Sequence, residues 1–191
     1  MSQQDLPGPN PIVRDVYREL GELLSDGDDM FVERGPGVVQ EAIGREGFFD
    51  GVSTDFAEEG SYTRKKVIGE PGKHVIRYME WSSGFSIFPH EHHGRPCFEV
   101  LVDGLLNVVN MDAEEREDEG YRLEVVGSEV TEPGDAAVVD PRITDIHAVY
   151  SPVRSRSLHV YPDDNHYSYG YVYDETRDGE DVYRRRKFTM D

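Results

Sequence analysis

Cysteine is nearly absent from this chain of 191 residues, in which Cys97 stands alone. A single cysteine excludes an intrachain disulfide framework, so covalent cross-links of that kind contribute nothing to the fold. Any importance of Cys97 must come from its chemistry or its packing. The chain still has 37% hydrophobic and 10% aromatic residues, which is enough for a packed core, and its length is close to that of one domain.

Long hydrophobic runs are also missing. No stretch approaches the roughly 18 apolar residues that a membrane span needs. The amino end, MSQQDLPGPNP, lacks the basic and then apolar order of a secretory signal. We therefore expect a soluble, cytoplasmic protein that has no membrane partner. We also expect a monomer.

Positive charge is scarce, and lysine especially so. Four lysines and sixteen arginines stand against 39 acidic residues, which gives a formal net charge of −19. At neutral pH such a chain repels nucleic-acid phosphates and anionic lipid surfaces, so we expect neither as a partner. An acidic excess keeps a protein soluble at high ionic strength. A salt-rich cytoplasm and an ordinary acidic protein both remain compatible with this composition.

The amino-terminal part of the chain favours helices. Apolar residues recur at every fourth position over residues 10–25, which predicts one face of a helix that starts near a proline; they are Ile12, Val16, Leu20 and Leu24. A second, short helix is predicted at 37–44, where Val38, Val39 and Ala42 are apolar. We expect both helices to pack against the rest of the domain.

From Tyr62 onward the pattern changes to short β-rich segments separated by Gly, Pro, Asp and Asn. The predicted strands are 74–81, 85–92, 97–104, 105–111, 121–127, 135–140, 146–151, 156–161 and 167–173. Many short strands at this spacing predict an antiparallel sandwich or barrel. Residues 112–120, DAEEREDEG, have no apolar face and predict a solvated loop or hairpin tip. We interpret residues 1–191 as one domain, with a helical segment at 1–58 packed on a barrel core at 61–175.

The stretch FPHEHHGRPCFEVLVDG, residues 88–104, holds three of the seven histidines together with the only cysteine. His90 and His92 are two residues apart, so on a strand both side chains leave the same face, as metal ligands do. The alternative is a polar strand end with histidines at the surface. His93 points to the opposite face and is predicted to lie at the surface. Surface or structural positions are also predicted for His74 and His166.

The chain contains Gly84, His90-x-His92 and Gly104, a pattern that resembles the first motif of the cupin family. In that family a small β-barrel carries a metal. That motif usually has a glutamate five positions after the second histidine, and this chain has Cys97 there. A cysteine at this position is found in one cupin family, cysteine dioxygenase. The chain therefore resembles that family at this motif.

Three further groups of residues carry the resemblance to cysteine dioxygenase. They are Tyr62 and Arg64 in SYTRK, Ser157, His159 and Tyr161 in SLHVY, and His147, which stands twelve residues before His159. Agreement of four separated motifs over roughly residues 62–161 is more specific than any one of them.

The resemblance implies a mainly β fold, a cupin-type barrel of the jelly-roll kind with short N-terminal helices. It also implies an enzyme that uses Fe(II) to add both atoms of dioxygen to the sulfur of L-cysteine, which gives cysteine sulfinate. The implied metal ligands are His90, His92 and His147. The implied substrate-binding residues are Arg64 and Tyr62.

The same resemblance implies catalytic roles for the remaining matched residues. Ser157, His159 and Tyr161 would form a hydrogen-bonded row that ends beside the metal, and Cys97 would be joined to Tyr161 through a thioether. From the residues alone, an edge strand with a polar face toward water is the alternative for this row. Likewise, Arg64 is either a surface residue of the basic TRKK patch or a residue that binds the carboxylate of a substrate.

The chemistry of the implied donor set favours a thiol substrate. Most non-haem iron oxygenases use two histidines and a carboxylate, whereas three neutral imidazoles leave the metal its full double positive charge. Such a centre favours a soft, anionic thiolate and lowers the pKa of a coordinating thiol. The guanidinium group of Arg64 could pair with the carboxylate of cysteine in a bidentate manner.

Two alternatives remain open from the sequence. One is a thiol dioxygenase for another mercapto acid, mercaptosuccinate or 3-mercaptopropionate. Relatives that prefer 3-mercaptopropionate usually have glutamine in place of Arg64 and lack the cysteine, which favours L-cysteine here. The other is a cupin without oxygenase activity, either a lyase or isomerase with another divalent metal or a binding module, because one barrel hosts many functions.

Overall fold

A computed structural model describes residues 8–54, 57–116, 120–164, 167–177 and 181–189. Within these ranges the chain forms two helices, α1 (Pro11–Asp26) and α2 (Asp28–Ile43), followed by eleven strands. The strands are β1 (Tyr62–Gly69), β2 (Val75–Trp81), β3 (Phe85–Glu91), β4 (Cys97–Asp103), β5 (Leu106–Glu115), β6 (Tyr121–Thr131), β7 (Ala136–Val139), β8 (Ile146–Ser151), β9 (Ser155–Tyr161), β10 (Tyr167–Tyr173) and β11 (Tyr183–Thr189). Neither helix is long and apolar enough to span a membrane.

Helix α1 confirms the first predicted helix. The side chain of Asn10 caps it by accepting a hydrogen bond from the backbone N–H of Val13, and Pro11 occupies its first turn. The chain turns from α1 into α2 at Gly27, whose φ of 126° lies in the region that favours glycine.

Helix α2 corrects the second prediction, because it begins at Asp28 and not near residue 37. The sequence hides this helix because Gly35 and Pro36 are poor helix formers. Packing overrides their propensity: Phe31 lies against the ring of Phe98, and a Cβ atom on Gly35 would lie only 2.7 Å from that ring. Gly35 is thus needed for the close approach of α2 to β4.

The strands form two antiparallel sheets. The five-stranded sheet has the order β1-β2-β9-β4-β7, and the six remaining strands close on themselves in the order β10-β11-β6-β5-β8-β3. This mainly β, jelly-roll-like fold with two preceding helices confirms the predicted fold class. Each of the nine predicted segments contains a strand, and β11 lies beyond the predicted barrel boundary at residue 175.

The acidic segment 112–120 is only partly a hairpin tip. Residues 112–115 belong to β5, which pairs with β6 out to Glu115 and Tyr121. Backbone pairing extends this ribbon although its side chains are polar. Residues 117–119 lie outside the described part of the chain.

The helices pack on one face of the five-stranded sheet, and the other face carries the polar residues of interest. Large buried side chains from α1, α2 and the sheet form the core between them, among them Val13, Leu20, Phe31, Tyr78, Phe98 and Leu158. Because side chains alternate along a strand, the neighbours of Phe98 and Leu158 leave the opposite face. Those neighbours are Cys97 and Glu99 on β4, and Ser157 and His159 on β9.

Candidate metal centre

Three histidines from the paired strands β3 and β8 meet at one point. His90 lies opposite His147 in the register of these strands, and His92 follows the end of β3. One ring nitrogen from each residue lies within 4.8 Å of the others. The Nε2 atoms of His92 and His147 are 3.1 Å apart. The structure thus brings together all three histidines that were predicted as metal ligands.

All three imidazoles are neutral at physiological pH because they are buried. Burial lowers the pKa of His90 to about 4 and holds the pKa of His92 and His147 well below the ordinary value, and repulsion from His90 adds to the effect on the other two. A neutral imidazole offers a lone pair to a metal. His90 and His147 are also among the buried polar residues. The alternative of a surface cluster is therefore wrong.

The contacts around the cluster orient two of the three rings. His90 Nδ1 lies 3.1 Å from the carbonyl oxygen of Phe88, so this nitrogen carries the proton and Nε2 keeps its lone pair. His92 Nδ1 lies 3.2 Å from Cys97 Sγ. The Nδ1 atom of His147 is buried and has no hydrogen-bond partner among the described residues. Three neutral nitrogen donors fit a divalent transition metal such as iron or zinc.

Asp145 fixes the turn that carries His92, a role the sequence analysis missed. Its carboxylate accepts hydrogen bonds from the backbone N–H of His92 at 3.2 Å and of Gly94 at 2.9 Å. His93, between them, has a φ of 59°, in the left-handed region. The signal available in the sequence was the position of Asp145, two residues before His147.

The polar row predicted on β9 is present, with Ser157 and His159 buried and Tyr161 partly buried. Trp81 Nε1 donates to Ser157 Oγ at 2.8 Å, and Ser157 Oγ lies 2.9 Å from His159 Nε2. His159 Nδ1 is 3.3 Å from the hydroxyl oxygen of Tyr161. Strand β9 lies between β2 and β4 in the middle of its sheet, so the alternative of an edge strand facing water is wrong.

A pocket opens beside the histidine cluster. Four residues predicted from the sequence as site residues contribute to its wall: Arg64, His92, Cys97 and Tyr161. The remainder of the lining comes from Glu91, His93, Arg95, Pro162, Asp163 and Ser168. The guanidinium carbon of Arg64 lies 5.0 Å from the centre of the Tyr161 ring. Arg64 thus belongs to this wall and not to a solvated basic patch.

Burial keeps the hydroxyl group of Tyr161 and the thiol group of Cys97 protonated. It raises the pKa of Tyr161 to about 12, against the opposing effect of the positive charge of Arg64. It also raises the pKa of the Cys97 thiol well above its ordinary value. In the metal-free protein both groups are therefore protonated at neutral pH.

Other predicted residues lie elsewhere. The Tyr62 ring stacks on Trp81 and Phe85 and is not part of the pocket lining, so its role in substrate binding stays a prediction. His74 is buried against Tyr17, as expected of a structural residue. His166 lies outside the described residues.

His93 lies at the pocket with a partly exposed side chain, which agrees with its predicted surface or structural position. It contributes to the pocket lining, and its Nε2 atom is 3.0 Å from the carbonyl oxygen of Tyr167. The backbone at this residue is left-handed, so strand alternation does not continue through the turn.

Comparisons with known proteins give a likeness in structure only. No model of a known protein family matches the chain. No curated protein matches it either. Similar solved structures include a cupin superfamily protein from Desulfitobacterium hafniense DCB-2, with 16% identity and a TM-score of 0.44 over 58% of this chain and 84% of that one. KdgF from Halomonas sp. has 18% identity and a TM-score of 0.44 over 59% and 90%. An oxalate oxidase in complex with the substrate analogue glycolate has 13% identity and a TM-score of 0.43 over 59% and 56%. At identities this low, none of them assigns an activity to this chain.

Proposed function

We propose that this protein is a thiol dioxygenase of the cysteine dioxygenase type, with Fe(II) held by His90, His92 and His147. The observation that carries the proposal is one shared pocket: Cys97 and Tyr161 contribute to the same wall as Arg64. A cupin that only binds a ligand, or a lyase, has no evident use for this combination beside a cluster of three histidines.

The donor set suits a thiol substrate. When bound, the iron supplies the redox capacity for joining dioxygen to sulfur. The three neutral imidazoles contribute no negative charge, so a thiolate is electrostatically favoured at the open side of the centre. Among the described residues, the group of side chains that could hold a metal consists of these three histidines and includes no carboxylate that would offset that preference.

The wall of the pocket suits an acid. The guanidinium group of Arg64 can pair with the carboxylate of L-cysteine through two parallel hydrogen bonds. Tyr161 places a protonated hydroxyl group in the same wall, where it can hydrogen-bond to the substrate. The product of the proposed reaction is cysteine sulfinate.

A second substrate has one observation in its favour. Arg95 also contributes to the pocket lining, so the pocket holds two guanidinium groups. Mercaptosuccinate has two carboxylates and could pair with both. No comparable feature favours 3-mercaptopropionate.

The test is an oxygen-uptake and sulfinate assay of the protein loaded anaerobically with Fe(II), with L-cysteine, mercaptosuccinate and 3-mercaptopropionate compared under the same conditions.

Arg64→Gln is expected to lose about 2–3 kcal/mol of substrate recognition, roughly 30–150-fold in kcat/KM. The matched control is Lys65→Gln, which removes the same charge from the opposite face of β1 and should retain activity. His147→Ala should lose both bound iron and turnover.

Each alternative has its own outcome. Negligible turnover of L-cysteine beside rapid turnover of mercaptosuccinate would move the substrate to the dicarboxylic thiol. Protein that retains only zinc or manganese and consumes no oxygen with any of the three thiols would overturn the dioxygenase proposal in favour of a non-oxygenase cupin.

A further inference from the structure

Glu99 is a buried carboxyl group that the proposed function leaves without a role. It stands two residues after Cys97 on β4, so both side chains leave the same face of that strand, and His159 lies opposite Glu99 on β9. Glu99 is only 3% exposed. Neither of its oxygens has a hydrogen-bond partner of good geometry among the described residues. Burying an unsatisfied carboxyl group is costly.

The ring of His159 lies between Glu99 and Tyr161. Glu99 Oε2 is 3.3 Å from His159 Nε2, and the other ring nitrogen, Nδ1, is 3.3 Å from the Tyr161 hydroxyl oxygen. Ser157 Oγ also contacts Nε2, at 2.9 Å. Nε2 therefore contacts both Ser157 and Glu99. Of these two residues, only Glu99 has a side chain that can gain or lose a charge.

A neutral imidazole carries one proton, on one nitrogen or the other. When Nε2 of His159 accepts a hydrogen bond, Nδ1 carries the proton and donates to the Tyr161 oxygen, which leaves the phenol hydrogen free to point into the pocket. When Nε2 carries the proton, Nδ1 accepts the phenol hydrogen and holds it away from the pocket. The position of one ring proton thus decides what Tyr161 presents to a substrate.

Of Glu99, His159 and Tyr161, only Glu99 titrates near neutral pH. Burial lowers the pKa of His159 to about 3 and raises the pKa of Tyr161 to about 12. Burial, followed by the negative charge of Glu129, raises the pKa of Glu99 to about 8.

The surroundings of Glu99 contain few other charges. The negative charge of Glu129 on β6 acts on it, and Cys97 on its own strand has a thiol pKa raised well above the ordinary value. On the side of β7 its partner in register is the apolar Ala137.

We propose that Glu99 is a positioning residue for Tyr161: through His159, it sets which ring nitrogen carries the proton and so where the phenol hydrogen points. Protonated Glu99 donates to Nε2, which places the ring proton on Nδ1. Ionised Glu99, its proton released to solvent, accepts a hydrogen bond from Nε2–H, and the ring proton resides there. The meaning of this switch for catalysis rests on the proposed function, but the switch itself requires neither iron nor substrate.

The experiment measures the tautomer of His159 in the full-length, metal-free protein by long-range NMR correlations on nitrogen-15-labelled histidine. The His159 signals are identified by their loss in His159→Gln. In the wild-type protein we expect the proton on Nδ1 well below pH 8 and on Nε2 well above it, with a midpoint near the Glu99 pKa of about 8. In Glu99→Gln, whose side chain cannot titrate, the tautomer of His159 should not change across this pH range.

Two further variants keep the test sharp. Glu80→Gln is the matched control, because Glu80 is a buried carboxyl group on β2 that pairs with Tyr78, and its variant should retain the switch. If Glu99→Gln does not fold, Glu99→Leu replaces it with the same expectation. One tautomer at all pH values in the wild type, or a switch that persists without Glu99, would overturn the inference.

Failure of the inference can be distinguished from failure of the proposed function. If thiols are oxidised but the tautomer does not change with pH, the role of Glu99 is wrong and the dioxygenase proposal stands. If the switch is present but no thiol is oxidised, the role of Glu99 as a switch of the His159 tautomer is supported and the dioxygenase proposal fails.

Discussion

At the scale of single residues, burial decides the charge that each group around the pocket carries. The same burial keeps the imidazole of His90 neutral, keeps the phenol of Tyr161 protonated, and keeps Glu99 protonated to about pH 8. Each of these three groups is therefore uncharged in the metal-free protein at neutral pH.

The fate of Cys97 is the first prediction at this scale. Cys97 is a buried, free thiol in this structure, and it lines the same pocket as Tyr161. Turnover with Fe(II) and dioxygen is expected to join the two in a thioether, with dioxygen as the oxidant that removes the thiol hydrogen and one ring hydrogen. Intact mass spectrometry should show a species lighter by two hydrogens. Cys97→Ser is the control and should show no such species, whereas a fully alkylatable Cys97 in active protein would contradict any need for the bond.

Glu99 also predicts a dependence of stability on pH. Its folded pKa of about 8 lies above its ordinary value of 4.5, so the folded state holds a proton that the unfolded state has released. The resulting stabilisation is complete below pH 4.5 and is lost as the pH rises to 8. Between about pH 6 and about pH 8 the wild type should lose on the order of 2–3 kcal/mol of unfolding free energy that Glu99→Gln does not lose.

Urea denaturation of the metal-free proteins at several pH values measures this difference. Parallel curves for the wild type and Glu99→Gln would show that Glu99 is ionised in the folded state at neutral pH.

At the scale of elements, strand alternation places the helix-facing core and the site on opposite sides of the same two strands. On β4, Phe98 packs against the helices while Cys97 and Glu99 face the site, and on β9 Leu158 and His159 divide in the same way. The position of α2 on β4 therefore supports the wall of the pocket from behind.

Two glycines of α2 test this contact. In Gly35→Ala the new methyl group would lie 2.7 Å from the buried Phe98 ring, so overpacking of about 1–3 kcal/mol should outweigh the gain of up to about 1 kcal/mol in helix propensity. Gly37→Ala, in the same helix, has open space around the new methyl group and should be neutral or stabilising. Urea denaturation of both variants checks the signs, and equal effects would contradict close packing at Gly35.

At the scale of the whole molecule, the net charge of −19 opposes folding through self-repulsion. Some of this repulsion is local: Asp112 on β5 lies directly opposite Glu124 on β6, and both are exposed. Like charges in this arrangement destabilise a strand pair.

Salt should therefore stabilise the protein. The unfolding free energy is expected to rise from dilute buffer to molar potassium chloride, because screening weakens repulsion between exposed charges. Asp112→Lys should gain about 0.2–1 kcal/mol in dilute buffer and show a weaker dependence on salt. Stability unchanged by salt would contradict the role of self-repulsion and the salt-adapted interpretation of the composition.

The sequence by itself determined the local features of this protein. Four-residue periodicity predicted α1, short β-rich segments between turn residues predicted nine strands, and the spacing of His90 and His92 placed both rings on one side of the chain. Short-range patterns contain this information because they state on which side of an element a residue leaves. The resemblance to cysteine dioxygenase rests on the same kind of local motif.

Only the tertiary structure decided which of these side chains are buried and which ones meet. The full length of α2 depends on the ring of Phe98, the central position of β9 depends on its two neighbours, and the contact between Glu99 and His159 depends on β4 lying beside β9. Each of these is a contact between segments far apart in the chain. Burial and the pKa shifts it causes are properties of such contacts, so no local pattern of residues can express them.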